Sequence, residues 1–431
     1  MNRDFRISNQ LYDRALRSIP LASQTFSKSA QNYVKGASPL FMERGAGAYV
    51  WDPDGNKYID YVLGLMPIIL GYRDRDVDRA IKNQVDKGIL FSLPNELEIT
   101  LAEELINIIP SAEMVRYGKN GSDVTSAAIR LARAYTNRDR IAICGYHGWH
   151  DWYIGTTSRN AGVPKDVRKL STTFPFNDVG VLEHLLKSDP DGFAAVILEP
   201  EGIFEPQPGF LQSVRQLTDK YGVVLIFDEI ITGFRVAMGG SQEKHQVIPD
   251  LSTFGKALGN GMPISAIVGR KEIMNLMTEI FFSGTFGGEV VSLAAALATL
   301  KKLRKLDAPT IFQRVSARIR SRVALAIERT GLTEVVSLGG VSWWPRLILH
   351  PQKKASQLLI TSLLRQELLA NGILIGSAFN FCIKHDDDQL LDETSRSFER
   401  SFERLAEYLD AENPAAGLLG EMIQPVFQTR G

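Results

Sequence analysis

Two uninterrupted apolar runs constrain this chain more than any other feature. AAVILEP at 194–200 and VVLIFDE at 223–229 each open with five apolar residues in succession, too many for a strand with one face in water. Each reads as a strand buried on both faces, and each ends in a carboxylate, Glu199 or Asp228. Between them Leu211, Val214, Leu217 and Tyr221 recur at three-to-four spacing, the stripe of an amphipathic crossover helix. Strand, helix and strand in this order form a βαβ unit, which requires a largely parallel sheet covered by helices. Upstream, IAIC at 141–144 and the helical spacing of Val124, Ala127, Leu131 and Ala134 continue the alternation.

The two ends of the chain differ from this middle. Ala48–Trp51 and DPDGNKYIDYV read as a hairpin around Asp54-Gly55. Beyond Lys301, helical stretches alternate with VVSLGGVSWWPRLIL and ILIGSAFNFCI, and a last helix runs near Asp388–Leu409, its start favoured by Asp386, Asp387 and Asp388. The expectation is an α/β protein with a large domain over 61–305, and a smaller α+β domain formed from both chain ends, 1–60 and 306–431.

Composition narrows the function by exclusion. The 49 Lys plus Arg balance 49 Asp plus Glu, so the basic footprint of a nucleic-acid binder is missing. Cys144 and Cys382 are the only cysteines, which gives neither a disulfide framework nor a CxxC pair and suits a reducing compartment. The first twenty residues alternate charged and apolar positions, unlike a secretory signal, and LGLMPIILGY at 63–72 is too short and too broken to span a bilayer. A cytoplasmic protein is expected, with no nucleic-acid or membrane partner.

Chemistry concentrates at the strand ends. In a doubly wound sheet functional residues gather at the carboxyl ends of strands, where Asp228 belongs. Downstream, Lys256 is flanked by Gly255, Gly259 and Gly261, where backbone can pass close to a bulky ligand. A lysine amine deprotonated by its surroundings is a nucleophile toward carbonyls, and a buried acid can pair with a protonated ring nitrogen. A structural Asp–Lys ion pair is the plainer alternative. Gly121-Ser122 opens a helix and can hold a phosphate, or Ser122 is simply an N-cap. Tyr146 in Tyr146-His147-Gly148-Trp149-His150 can stack on a flat ring; the two histidines lack a third ligand at suitable spacing, so no metal is expected. Ser283-Gly284-Thr285-Phe286-Gly287-Gly288 again presents donors before a helix, and Glu199 ends its strand before Pro200.

Together IFDEIITGFR and PDLSTFGKALGNG resemble the motif of the class III pyridoxal-phosphate aminotransferases of fold type I. The resemblance extends to Gly121-Ser122-Asp123, Tyr146-His147-Gly148, Glu199-Pro200 and GAYVWDPDGNKYIDYV, and thus covers nearly the whole chain. It implies that Lys256 forms the internal aldimine with pyridoxal 5′-phosphate and that Asp228 binds the pyridine nitrogen. Ile230 and Tyr146 would cover the ring, with His147 supporting the site without touching the cofactor, and Gly121 and Ser122 would hold the phosphate. Thr285 would reach the phosphate of a neighbouring subunit, implying a homodimer with shared active sites. The general pattern is similar to that of glutamate-1-semialdehyde aminomutase and its relatives, with departures on the substrate side. Lys28 stands where those enzymes carry a carboxylate-binding Arg, Gly64-Leu65-Met66 replaces Gly-Ser-Trp-Gly, and the loop after Glu199 is shorter. Lysine keeps the charge but loses the planar fork. Lys28, Leu65 and Glu199 are therefore the candidate substrate residues. The expected activity is transfer of an amino group from a small-molecule donor to an aldehyde or ketone, and the polar Ser23–Lys28 stretch would suit an oxo-sugar. Intramolecular amino transfer, epimerisation and a binding protein that has lost catalysis are the alternatives.

Overall fold

The computed structural model describes residues 3–424, in two compact units. Among the described residues, one is Arg75–Pro309; the other joins the chain up to Asp74 with residues 310–424. The division thus falls at 74 and 309 where 60 and 305 were expected, and the last seven residues of the expected C-terminal domain, 425–431, lie outside the described residues. Residues 61–74 stay with the N-terminal segment because backbone bonds tie them there. Tyr61 N donates to the Leu374 carbonyl, Asn380 N to the Tyr61 carbonyl and Ile383 N to the Ile69 carbonyl.

The larger unit is built on seven strands: β1 (Met114–Gly118), β2 (Arg140–Cys144), β3 (Ser171–Thr173), β4 (Phe193–Leu198), β5 (Val224–Asp228), β6 (Leu251–Phe254) and β7 (Ser265–Gly269). Their order across the sheet is β1-β7-β6-β5-β4-β2-β3. β7 is antiparallel to both its neighbours and all other pairs are parallel, so six strands run one way. The apolar runs form β4 and β5, every residue of which is buried. Period-two alternation sends their side chains to two cores. Ile141, Ile143, Ile197 and Ile226 pack on one face with Val124, Ala128 and Leu131 of α1 (Gly121–Thr136). Val196, Leu198, Leu225 and Phe227 pack on the other with Leu211, Val214 and Leu217 of α2 (Phe210–Tyr221), the expected crossover helix.

Asp250, at the start of β6, ties these layers together. Its Oδ2 accepts from Leu225 N at 2.8 Å and from Arg215 of α2 at 3.0 Å, while Oδ1 meets Arg270 at 3.1 Å. A buried carboxylate is stable only with such partners.

In the smaller unit, Arg44–Ala46, Tyr49–Trp51 and Lys57–Asp60 form an antiparallel meander whose last strand pairs in parallel with Ile373–Leu374. The expected hairpin is present, with Gly55 at φ +85° and Asp52 accepting from Asn56 N at 2.7 Å. The run ILIGSAFNFCI supplies only those two strand residues. Val336–Val341 and Trp344–Leu349 form a second hairpin, and the closing helix Asp388–Asp410 is capped by Asp387, which accepts from Leu390 N at 2.9 Å. Among the described residues no helix is long and apolar enough to cross a membrane.

Ile226→Ala removes a fully buried side chain from the centre of the sheet. It should lower the stability of the larger unit by about 2–5 kcal/mol, read as a fall in its urea midpoint; a loss below about 0.5 kcal/mol would contradict this packing.

Candidate active site

Six strands running one way place their carboxyl ends along one edge of the sheet, and four of the following segments, together with the end of β5, carry the residues singled out by the sequence. β1 leads to Gly121-Ser122, β2 to Tyr146-His147, β4 to Glu199 and β6 to Lys256, while β5 ends in Asp228. Ligands of open α/β sheets bind at this edge.

At its centre, Asp228 Oδ2 lies 2.7 Å from His147 Nδ1, and both groups are buried. His147 Nε2 faces the Cys144 carbonyl at 3.1 Å. A carbonyl only accepts, so Nε2 carries a proton, and the second proton is held between Nδ1 and the carboxylate. The other oxygen, Oδ1, accepts from Ile230 N at 3.1 Å and from Thr253 Oγ1 at 3.3 Å. Asp228 is thereby fixed in place with its charge supported from behind.

Lys256 follows β6 with left-handed backbone, φ +35°, an unusual state for a residue with a Cβ. Burial lowers its amine from the ordinary 10.5 to about 8, against the opposing pull of Glu199 and Asp228 and with help from buried Arg235. A substantial neutral fraction at mild alkaline pH makes it a usable nucleophile and proton carrier.

Small residues and glycines shape the space around this group. A Cβ on Gly121 would come within 3.2 Å of Ile230 Cδ1, and one on Gly255 within 3.1 Å, so Ile230 fills the gap between two bare backbones. Gly148, at φ +105°, passes so close to Ser122 that a Cβ there would collide with its hydroxyl. Ser122 Oγ accepts from Trp149 N at 3.3 Å, and Thr125 Oγ1 donates to the His147 carbonyl at 3.0 Å, stitching the β2 loop to α1. Asp123 at the third helical position accepts from Asn120 N at 2.7 Å and Lys119 N at 3.1 Å. The first N–H groups of α1 have no intrahelical partners and suit an anion. An acid–histidine pair for a ring nitrogen, a lysine of lowered pKa for an aldehyde, an apolar side chain for a ring face and a helix start for a phosphate together fit pyridoxal phosphate.

Glu199 approaches from the β4 side. Its Oε2 accepts from Tyr146 N at 2.8 Å, and Gly145 leaves room for it, since a Cβ there would lie 2.6 Å from that oxygen. Burial first, then the neighbouring Asp228, pushes its carboxyl above the usual range. The Tyr146 ring stands edge-on to Tyr153 at 5.4 Å. Thr285 is not gathered here. It lines a separate cavity of about 940 Å³ with Lys119 and Asp123, and neither Asp228, Glu199 nor Lys256 reaches that cavity. Lys28 and Leu65 belong to the smaller unit. Lys28 is exposed at the end of the turn Phe26–Lys28, and Leu65 sits in a run of four left-handed residues, Leu63 to Met66.

Sequence reasoning missed Thr253 and Arg235. Thr253 is buried in β6 between Ser252 and Phe254, and the two hydroxyl residues between Leu251 and Phe254 were the available signal. Arg235 is a buried cation whose side chain donates to the Ile231 carbonyl at 2.9 Å, and it lies inside the quoted IFDEIITGFR run.

Comparison with known proteins follows the same lines. A family model described as aminotransferase class-III matches residues 30–378. The chain is 35% identical over 396 residues to 3-aminobutyryl-CoA aminotransferase of Cloacimonas acidaminovorans, covering 89% of this chain and 94% of that protein. It is 40% identical over 316 residues to glutamate-1-semialdehyde 2,1-aminomutase of Methanothrix thermoacetophila, covering 69% and 72%. Among solved structures it resembles the internal-aldimine form of the FumI protein of Sphingopyxis sp. MTA144, with TM-score 0.88, 28% identity and coverage of 96% and 99%. It also resembles an omega-transaminase from Sphaerobacter thermophilus, with TM-score 0.82, 28% identity and coverage of 92% and 97%.

Unfolded, Lys256 keeps its proton up to about 10.5, and folded only up to about 8. Between those values the unfolded chain binds more protons, so this residue makes stability rise with pH. In cofactor-free protein Lys256→Met should therefore stabilise at pH 7, by up to roughly 3 kcal/mol, and the gain should shrink toward zero near pH 10.5. Parallel urea titrations at pH 7, 9 and 10.5 check it, and a gain independent of pH would refute it.

Proposed function

The chain belongs to the class-III aminotransferases, enzymes of fold type I that use pyridoxal 5′-phosphate, and from that premise we propose that it moves an amino group from a small-molecule amine to an aldehyde or ketone with Lys256 and Asp228 at the centre. The observation that carries this reading is the meeting of a buried lysine of lowered pKa with a buried Asp–His pair at one sheet edge. When bound, the cofactor supplies a carbonyl for the donor nitrogen and an electron-poor ring for the electron pair left as a carbon–hydrogen bond breaks. Lys256 Nζ takes that proton and returns it, its pKa near working pH suiting both directions. Asp228 would accept from the ring nitrogen, held in place by His147. Ile230 and Tyr146 would cover the ring and exclude water. Gly121, Ser122 and the start of α1 would hold the phosphate.

The active form is a homodimer on this reading. Ile99 and Phe281, 61% and 83% exposed, line the cavity that holds Thr285, an apolar surface suited to a second copy that would bring Thr285 to its partner's phosphate. Both cysteines are buried free thiols, in keeping with a cytoplasmic enzyme.

An intramolecular amino shift is the second reading, favoured by the 40% identity to the Methanothrix aminomutase. Lys28, in place of a bidentate Arg, weighs against it. The oxo-sugar acceptor has less support: Ser23 Oγ donates to the Thr25 carbonyl at 2.9 Å and Thr25 Oγ1 accepts from Lys28 N at 3.2 Å, so these hydroxyls serve local turns.

Supplying one candidate substrate without a second partner separates the readings, because an internal shift proceeds to completion whereas transamination stops after one half-reaction. Lys256→Ala should lower turnover by more than about 10³-fold and Asp228→Asn by about 10²-fold or more. Full turnover in Lys256→Ala would end the proposal. Sedimentation should give a dimer, and Phe281→Glu should yield monomer with reduced activity.

A further inference from the structure

The loop that departs from the family pattern, Glu199–Pro206, is held by an arrangement that the proposed chemistry does not use. Glu201 is fully buried and accepts from Lys244 Nζ at 2.7 and 2.9 Å and from His245 Nε2 at 3.0 Å. Lys244 and His245 close the short helix α3 (Ser241–His245). The start of α3 is in turn fixed by Glu229, whose buried carboxylate accepts from Ser241 N at 2.8 Å and Gln242 N at 2.9 Å. Glu229 adjoins Asp228, so the loop is registered to the reacting centre through one carboxylate at each end of a single turn of helix. A second anchor lies beyond. Asn177 donates to the Glu205 carbonyl at 3.1 Å and accepts from Gln207 N at 2.8 Å.

Between the anchors stand Ile203 and Phe204, 51% and 65% exposed. Nothing about loop closure requires two large apolar residues in water at this point. They form the outer wall of a cavity of about 570 Å³, whose other walls include Cys144, Tyr146, Phe174 and Phe176, and whose inner end is Glu199. Phe176 is braced edge-on against Phe210 at 5.0 Å. Tyr153, whose buried hydroxyl has no hydrogen-bond partner, also contributes to the lining. The volume falls within the range of small-molecule sites, and the lining is mostly apolar, with the polar groups of Tyr146, Tyr153, Thr156, Thr173 and Glu199 set among the aromatic and aliphatic side chains.

We propose that this cavity is the subsite for an apolar arm of the substrate, alkyl or arylalkyl, and that Glu201 is the positioning residue that holds its outer wall. The inference rests on the transaminase reading and names its substrate class: an amine, or the matching carbonyl compound, whose apolar arm extends past Tyr146 and Glu199 and is covered by Ile203 and Phe204. Each added methylene removed from water strengthens the bound state until the cavity is filled.

The test uses holoenzyme and a series of primary amines from propylamine to octylamine, with the cofactor's conversion followed by absorbance in the first half-reaction. The second-order rate constant should rise roughly threefold per methylene through hexylamine. Phe204→Ser, a change at an exposed position, should bring this below about twofold per methylene. Glu201→Gln should raise the half-saturating concentration of hexylamine about tenfold while leaving the limiting rate within about twofold; equal loss in both would show a merely structural role and overturn the assignment to Glu201. Calorimetry with the unreactive 3-phenylpropan-1-ol should show binding with a negative heat-capacity change, abolished by Phe204→Ser. A flat chain-length series beside ready reaction of short polar donors or amino sugars would overturn the subsite and leave the transaminase reading standing. If no amine converts the cofactor, the transaminase reading falls instead, and the calorimetry decides the cavity: absence of binding would overturn it.

Discussion

A strand that is apolar to its last residue and then ends in two acids must place both where donors await them, and this constraint organises the larger unit. Asp228 and Glu229 are consecutive, so alternation sends their side chains opposite ways. Asp228 turns to His147 and Thr253, toward the site. Glu229 turns into the body of the unit and gathers Thr232, Ser241 and Gln242 around it. Burial raises Glu229 to about 7 even though the hydrogen bonds from Thr232, Ser241 and Gln242 pull it down. One pair of residues thus sets both the electrostatics of the site and the position of the scaffold behind it.

The chain carries no net charge, yet its interior contains many charged groups. Asp250, Glu201 and Glu229 are buried acids, each with several donors; Asp250 and Glu201 join segments 20 to 44 residues apart, and Glu229 holds the start of α3. Burying paired charge is weakly stabilising at best. Its effect here is positional: an apolar core tolerates small shifts, whereas a carboxylate held by three or four donors has one location. That kind of precision is what a reaction depending on a few tenths of an ångström requires.

The fold was legible because its two central strands, β4 and β5, have no polar interruptions before their ends. AAVIL and VVLIF permit no half-exposed strand, and the stripe Leu211–Tyr221 permits little besides a crossover helix. The site was legible as a set of strand ends and glycines, and the Asp–Lys constellation became specific through its family resemblance. What could not be read is everything that depends on meeting in space. His147 and Asp228 are 81 residues apart, and Glu201 and Lys244 are 43 apart. Neither separation has a pattern of its own. The left-handed backbone of Lys256 was hidden for another reason, because sequence signals mark such conformations only when glycine or asparagine adopts them. The shift of the first boundary from 60 to 74 has a comparable origin: backbone pairing to 374–383 holds residues 61–74, and backbone carries no side-chain signal.

Gly202, between the clamped Glu201 and the exposed Ile203, has no atom within 4 Å of the place where a Cβ would stand. Its φ is not left-handed, so any ordinary side chain can be accommodated there. The two anchors of the loop, at Glu201 and at Asn177, lie on either side of this gap and do not depend on what fills it. A single codon change at Gly202 could therefore remodel the mouth of the cavity while the machinery beneath it is inherited intact.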